Sequence, residues 1–168
     1  TVVKYSTNHN EKAYQLTPKK GMNTFNWKLR YSPAKRFDGM VMWAAEMGGP
    51  MAIPGAYRVE INYNDSILQK NFTILKDPRS SATSENYLQY HNFASEVRDK
   101  ITEAHEAIIE IRDIRAQLNN YKERVKEDTV LVNEIKHIDS LITDVEETLY
   151  QTKNRSSQDP LNFPVRLT

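Results

Sequence analysis

The sequence predicts an α+β chain: a small antiparallel β-sandwich over residues 1–80, then a long antiparallel helical hairpin over residues 81–152 and an extended tail over residues 153–168. Two changes of pattern carry that division. Before Pro78 apolar residues recur at every second position, the period of a strand with one wet face; after Thr83 they recur at threes and fours, the period of a helix. The last ten residues hold Pro160 and Pro164, which suit neither element and favour extended chain.

The first strand signal is TFNWKLRY, residues 24–31, where Phe25, Trp27, Leu29 and Tyr31 alternate with Thr24, Asn26, Lys28 and Arg30. Next comes GMVMWAAEMGGPMAIPGAY, residues 39–57. It concentrates four of the five Met of the chain and one of its two Trp, yet Gly48-Gly49-Pro50 and Pro54-Gly55 break it into loop and short strand. Methionine is flexible and polarisable, suited to irregular gaps and to adaptable interfaces. Two readings of this stretch stand side by side: Val41 and Trp43 plug a sandwich core, or Met40, Met42, Trp43, Met47 and Met51 form an apolar docking surface. AYRVEINY follows, with Tyr57, Val59, Ile61 and Tyr63 on one face. Asn64-Asp65-Ser66 is the expected hairpin turn into ILQKNFTIL, where Leu68, Phe72 and Ile74 are the expected inward positions.

In the second half, Val97, Ile101, Ala104, Ile108, Ile111, Ile114, Leu118, Tyr121 and Val125 form one stripe. A helix over about 84–125 is expected, uninterrupted at Asn119-Asn120. Leu131, Ile135, Ile138, Ile142, Val145 and Leu149 form a second stripe over about 129–150, with Asp128 or Thr129 as N-cap. At ~1.5 Å per residue the first helix outruns the second by about 30 Å. Its early apolar residues (Tyr87, Leu88, Phe93 and Val97) therefore need some other surface.

Composition narrows the functional classes. Hydrophobic residues make up 39% and charged residues 27%, and no apolar run is long enough to span a bilayer. With no cysteine, disulfide and thiolate chemistry are excluded. The near-neutral net charge hides a split: 12 Lys and Arg against 6 Asp and Glu in residues 1–80, and 11 against 16 in residues 81–168. The basic residues are scattered among aromatics rather than clustered, which argues against nucleic acid and for two parts that attract each other.

Motifs for chemistry are thin. Glu134 and His137 have the Glu-x-x-His spacing of a di-metal bundle, but no second copy exists. His105 and Glu106 superficially match a zinc-peptidase helix, but position 109 is Ile109 where the second ligand is needed. Among Glu11, Asp38, Glu46, Glu60, Asp65 and Asp77 nothing singles out the facing carboxylate pair of a glycosidase. Catalytic residues, metal ligands and cofactors are expected to be absent. Trp27, Tyr31, Trp43, Tyr57 and Tyr63 could stack on sugars, but most sit at alternating inward positions that core packing explains.

GMNTFNWKLRY, KRFDGMVMWAAEMGGPMAIPGAYRVEI, FTILKDPR, KITEAHEAIIEIRDIRAQL and LYQTKNRSSQDPLNFPVRL together resemble the C-terminal region of large Bacteroidetes sortilin-like β-propeller proteins. Those proteins carry BNR-type Asp-box repeats and are often labelled glycosyl hydrolases. The resemblance covers the chain from about Leu16; Lys28 departs from the Asp usual there, on the surface-facing side of the expected strand. It implies an immunoglobulin-like sandwich, a periplasmic or secreted location, and a β-propeller upstream in the same polypeptide, of which this chain would be an excised piece. No catalytic position of the family falls inside the chain. The expected function is that of a non-catalytic accessory module that packs on or orients the propeller, with self-association through the helices as a further expectation. The alternative is a carbohydrate-binding sandwich.

Overall fold

The computed structural model describes residues 5–6, 14–15, 17, 19–42, 48–63 and 65–167. Its regular elements are β1 (Tyr5–Ser6), β2 (Tyr14–Gln15), β3 (Gly55–Tyr63), β4 (Ser66–Ile74), α1 (Ser84–Arg124), α2 (Thr129–Leu149) and a 3₁₀ turn at Asp159–Leu161. The chain divides into two compact units, one of residues 1–33 and 48–98, the other of residues 34–47 and 99–168.

In the first unit β3 and β4 form an antiparallel hairpin, from Gly55 opposite Ile74 to Tyr63 opposite Ser66. β1 and β2 form a two-residue parallel pair, and a single antiparallel bridge joins Arg30 to Met51. The immunoglobulin-like sandwich expected over residues 1–80 is therefore overturned: among the described residues the antiparallel sheet has two strands. The expected strand over 24–31 does not form, and the local chemistry shows why. Leu29 takes a φ of 55°, in the left-handed region that a branched side chain rarely enters, so the alternation breaks before Arg30. Trp27 turns its indole Nε1–H onto the Arg30 carbonyl at 2.8 Å. What remains is a short clasp, with Tyr31 N–H donating to Pro50 O and Ala52 N–H to Leu29 O, each at 2.8 Å. Pro33, Pro50 and Pro54 lack the N–H groups that a longer ladder would need. Gly49 packs against the carbonyls of Tyr31 and Ser32 so closely that no Cβ fits there.

In the second unit the part of α1 from Asp99 onward is joined to α2 by residues 125–128. Asp128 caps α2, its Oδ1 accepting from Val130 N–H at 3.0 Å and Leu131 N–H at 3.1 Å. Side-chain bonds run from Arg115 to Asp139 and from Arg112 to Glu146, the order of an antiparallel pair. α1 is continuous through Asn119 and Asn120. Residues 34–42, expected as part of the sandwich, instead lie on this hairpin. Phe37 is buried with Ile108 and Tyr150, with Met40, Ile109 and Leu149 around them. The Phe37 ring meets His105 and Tyr150 edge-on, at 5.1 and 4.9 Å between centroids, a favoured arrangement for aromatic quadrupoles. A turn at Asp38 and Gly39, where Gly39 has a φ of 74°, reverses the strap after Phe37. Tyr150 Oη then accepts from Val41 N–H at 2.8 Å, and the backbone N–H of Lys35 donates to Thr102 Oγ1 at 3.2 Å. No described helix is long and apolar enough to cross a membrane.

Candidate interaction surface

In an antiparallel pair, directly opposed residues point to the same side. The register therefore gathers Tyr57, Val59, Ile61 and Tyr63 of β3 with Leu68, Phe72 and Ile74 of β4 on one face, which Lys70 and, opposite Tyr63, Ser66 interrupt. Arg58, Glu60 and Asn62 share the other face with Gln69, Asn71 and Thr73. The polar face is internally bonded: Glu60 accepts from Gln69 Nε2 at 2.9 Å and from Asn62 Nδ2 at 3.3 Å.

Among the described residues, aromatic packing covers one end of the apolar face. There Trp27, Tyr57 and Phe72 pack with centroids 5.8–6.3 Å apart, and Tyr57 Oη donates to the Ile53 carbonyl. Further along, Ile61 is 55%, Leu68 66% and Tyr63 72% exposed. The alternation that marks these residues is plain in the sequence, but among the described residues no second sheet covers them. Each large apolar side chain left in water forgoes about 1.5–3 kcal/mol of burial, so this is an expensive surface for a chain to leave open.

The five Met and Trp positions of the docking reading fall out as follows. Met40 packs against the Phe37–Ile108–Tyr150 cluster, and Met42 is half-buried, both in the second unit. Met51 is 46% exposed beside the Arg30 bridge in the first unit. Trp43 and Met47 lie outside the described residues.

The strongest electrostatic feature was not singled out in the sequence. Glu146, 4% exposed on α2, receives Arg112 Nε at 2.8 Å and Arg115 Nη1 at 2.6 Å. Arg115 also reaches Asp139 Oδ1 at 2.9 Å and Thr143 Oγ1 at 3.0 Å. Burial alone would push the Glu146 carboxyl up, but the hydrogen bonds and charges of Arg115 and Arg112 outweigh it and hold the group below the ordinary carboxylate range. Burial likewise works to lower the Arg115 pKa, and its carboxylate partners reverse that and raise it. The signal was available: Asp139, Thr143 and Glu146 follow i, i+4, i+7 on α2, facing an Arg-x-x-Arg on α1. A carboxylate held ionised by two guanidiniums is a poor proton donor, so the cluster acts as a structural clasp. Arg112 also lies 4.7 Å above the Phe37 ring and donates to the Asp38 carbonyl, fixing the strap.

Glu134 and His137 are exposed on either side of buried Ile135. His105 is 1% exposed, with Nδ1 against the Lys35 carbonyl. Among the described residues no group of three or more His, Cys, Asp or Glu is placed to hold a metal ion. No family model, no curated protein and no solved structure matches the chain.

Proposed function

We propose that the chain is a non-catalytic accessory module of a large periplasmic or secreted β-propeller protein, packing on or orienting the propeller upstream in the same polypeptide. The observation that supports it is the apolar face of the β3–β4 hairpin, open from Ile61 to Leu68. A two-stranded ribbon with such a face is only marginally stable in water until something packs on it. The propeller enters from the sequence resemblance, and the face supplies a surface for it. A sugar platform is less well supported, because the rings of Trp27, Tyr57 and Phe72 are packed on one another rather than presented side by side.

The test is binding of the 168-residue chain to a separately produced propeller region, measured by titration calorimetry. Paired Ile61→Asp and Leu68→Asp substitutions should abolish binding while leaving the melting temperature of the chain within a few degrees. Failure of the unaltered chain to bind, or equal binding by the doubly substituted chain, would remove the proposal.

A further inference from the structure

We propose that the free edge of β3 pairs with the same edge of a second copy of this chain, antiparallel about a two-fold axis through Val59, giving a four-stranded sheet. β4 occupies one edge of β3, and among the described residues no strand occupies the other. A nine-residue edge without Lys or Pro is a template for another strand.

The side chains select both the partner and the register. Pairing must keep the apolar faces on one side, so β3 can be centred on one of its own residues but not between two. Centring on Arg58 sets two arginines opposite each other, and centring on Glu60 sets two glutamates opposite each other; like charges so placed repel. Centring on Val59 sets Arg58 opposite Glu60 of the second copy, and Glu60 opposite Arg58, while Tyr57 meets Ile61 on the apolar side. The segment Tyr57-Arg58-Val59-Glu60-Ile61 is thus self-complementary in charge and in polarity.

Arg58 has no ion-pair partner among the described residues. Glu60, although bonded to Gln69 and Asn62, keeps acceptor capacity, since a carboxylate offers about four lone-pair sites. The other edge is guarded. In β4, Lys70 stands on the apolar face, and centring that strand on its middle residue opposes Lys70 to itself. The charge pattern therefore favours β3 pairing with β3 over β4 pairing with β4.

Arg58 and Glu60 lie on the face opposite the open apolar one, so reversing them leaves the proposed propeller-facing surface intact. Sedimentation of the 168-residue chain should show a monomer–dimer equilibrium. Arg58→Glu or Glu60→Arg alone each sets like charges opposite twice and should weaken dimerisation about tenfold; the two together should restore it. Because the chain has no cysteine, Val59→Cys provides a second readout that depends less on fold stability. Opposed residues place their Cβ atoms ~4.5–5.5 Å apart, so mild oxidation should give a covalent dimer with Val59→Cys and not with Lys70→Cys. A chain that stays monomeric at high concentration overturns the inference. So does a dimer insensitive to the charge reversals, which would place association elsewhere, as on the exposed Leu131, Ile138 and Val145 of α2. Either result leaves the accessory-module reading to its own test.

Discussion

Glu146 is the most buried carboxylate among the described residues, and its two arginines make it the natural place to ask what one side chain contributes. Arg112 and Arg115 keep about a third of their side-chain surface in water. On losing their partner they rehydrate, so the cost stays below that of a fully buried orphan charge. Glu146→Ala should destabilise the chain by about 2 kcal/mol, the scale of hydrogen bonds to charged groups, as measured by urea denaturation at neutral pH. The same cluster sets a pH dependence. Its carboxyl has a lower pKa folded than unfolded, so the stabilisation is fully present above the unfolded carboxylate pKa and lost as pH falls through the depressed folded one. The difference between the original chain and Glu146→Ala should therefore shrink on acidification; a difference constant down to strongly acidic pH would mean that the carboxylate's charge is not what matters.

The two helices show how far an element can be read in advance. The continuity of α1 through Asn119 and Asn120 and the cap at Asp128 rest on interactions within a few residues, and such interactions are legible locally. Asp128→Ala should cost about 1 kcal/mol, seen as a lower urea midpoint with an unchanged slope. Asp128→Asn should recover most of that loss, because the amide oxygen can accept the same two N–H groups; loss with both substitutions would point to charge rather than capping. The strand at 24–31 went the other way. Its alternation is as regular as that of β3, but Leu29 adopts a left-handed backbone and Trp27 bonds to Arg30 instead of lying in a pleat. Alternation reports which side chains could share a face, not whether a neighbouring strand exists to pair with. β3 found β4, pairing from Gly55 opposite Ile74 to Tyr63 opposite Ser66, whereas residues 24–31 found, among the described residues, a single bridge, Arg30 to Met51.

The described residues of the chain have an uneven distribution of burial. Ile108, Ile111, Ile135 and Tyr150 lie out of water in the second unit, whereas the β3–β4 hairpin is mostly exposed. Amide hydrogen exchange in dilute solution should accordingly be slowest around Ile108–Ile111 and Ile135 and fastest, among the long elements, in β3 and β4. Hairpin protection equal to that of the helices in a dilute monomer would mean that its face is already covered. The alternation of β3, the extents of the two helices and the capping aspartate were readable from residue order, because each depends on neighbours along the chain; the α2 stripe was readable only in part, since Ile135 is buried while Leu131, Ile138 and Val145 are exposed. The Phe37 strap on the helices, the arginine clasp around Glu146 and, among the described residues, the lack of a second sheet over β3–β4 were not. Each is a choice among partners more than 20 residues apart, and any of several apolar faces could have covered Phe37 or the hairpin. Packing and buried charge made the choice for the strap: Phe37 fits edge-on against both His105 and Tyr150, with Arg112 over its ring.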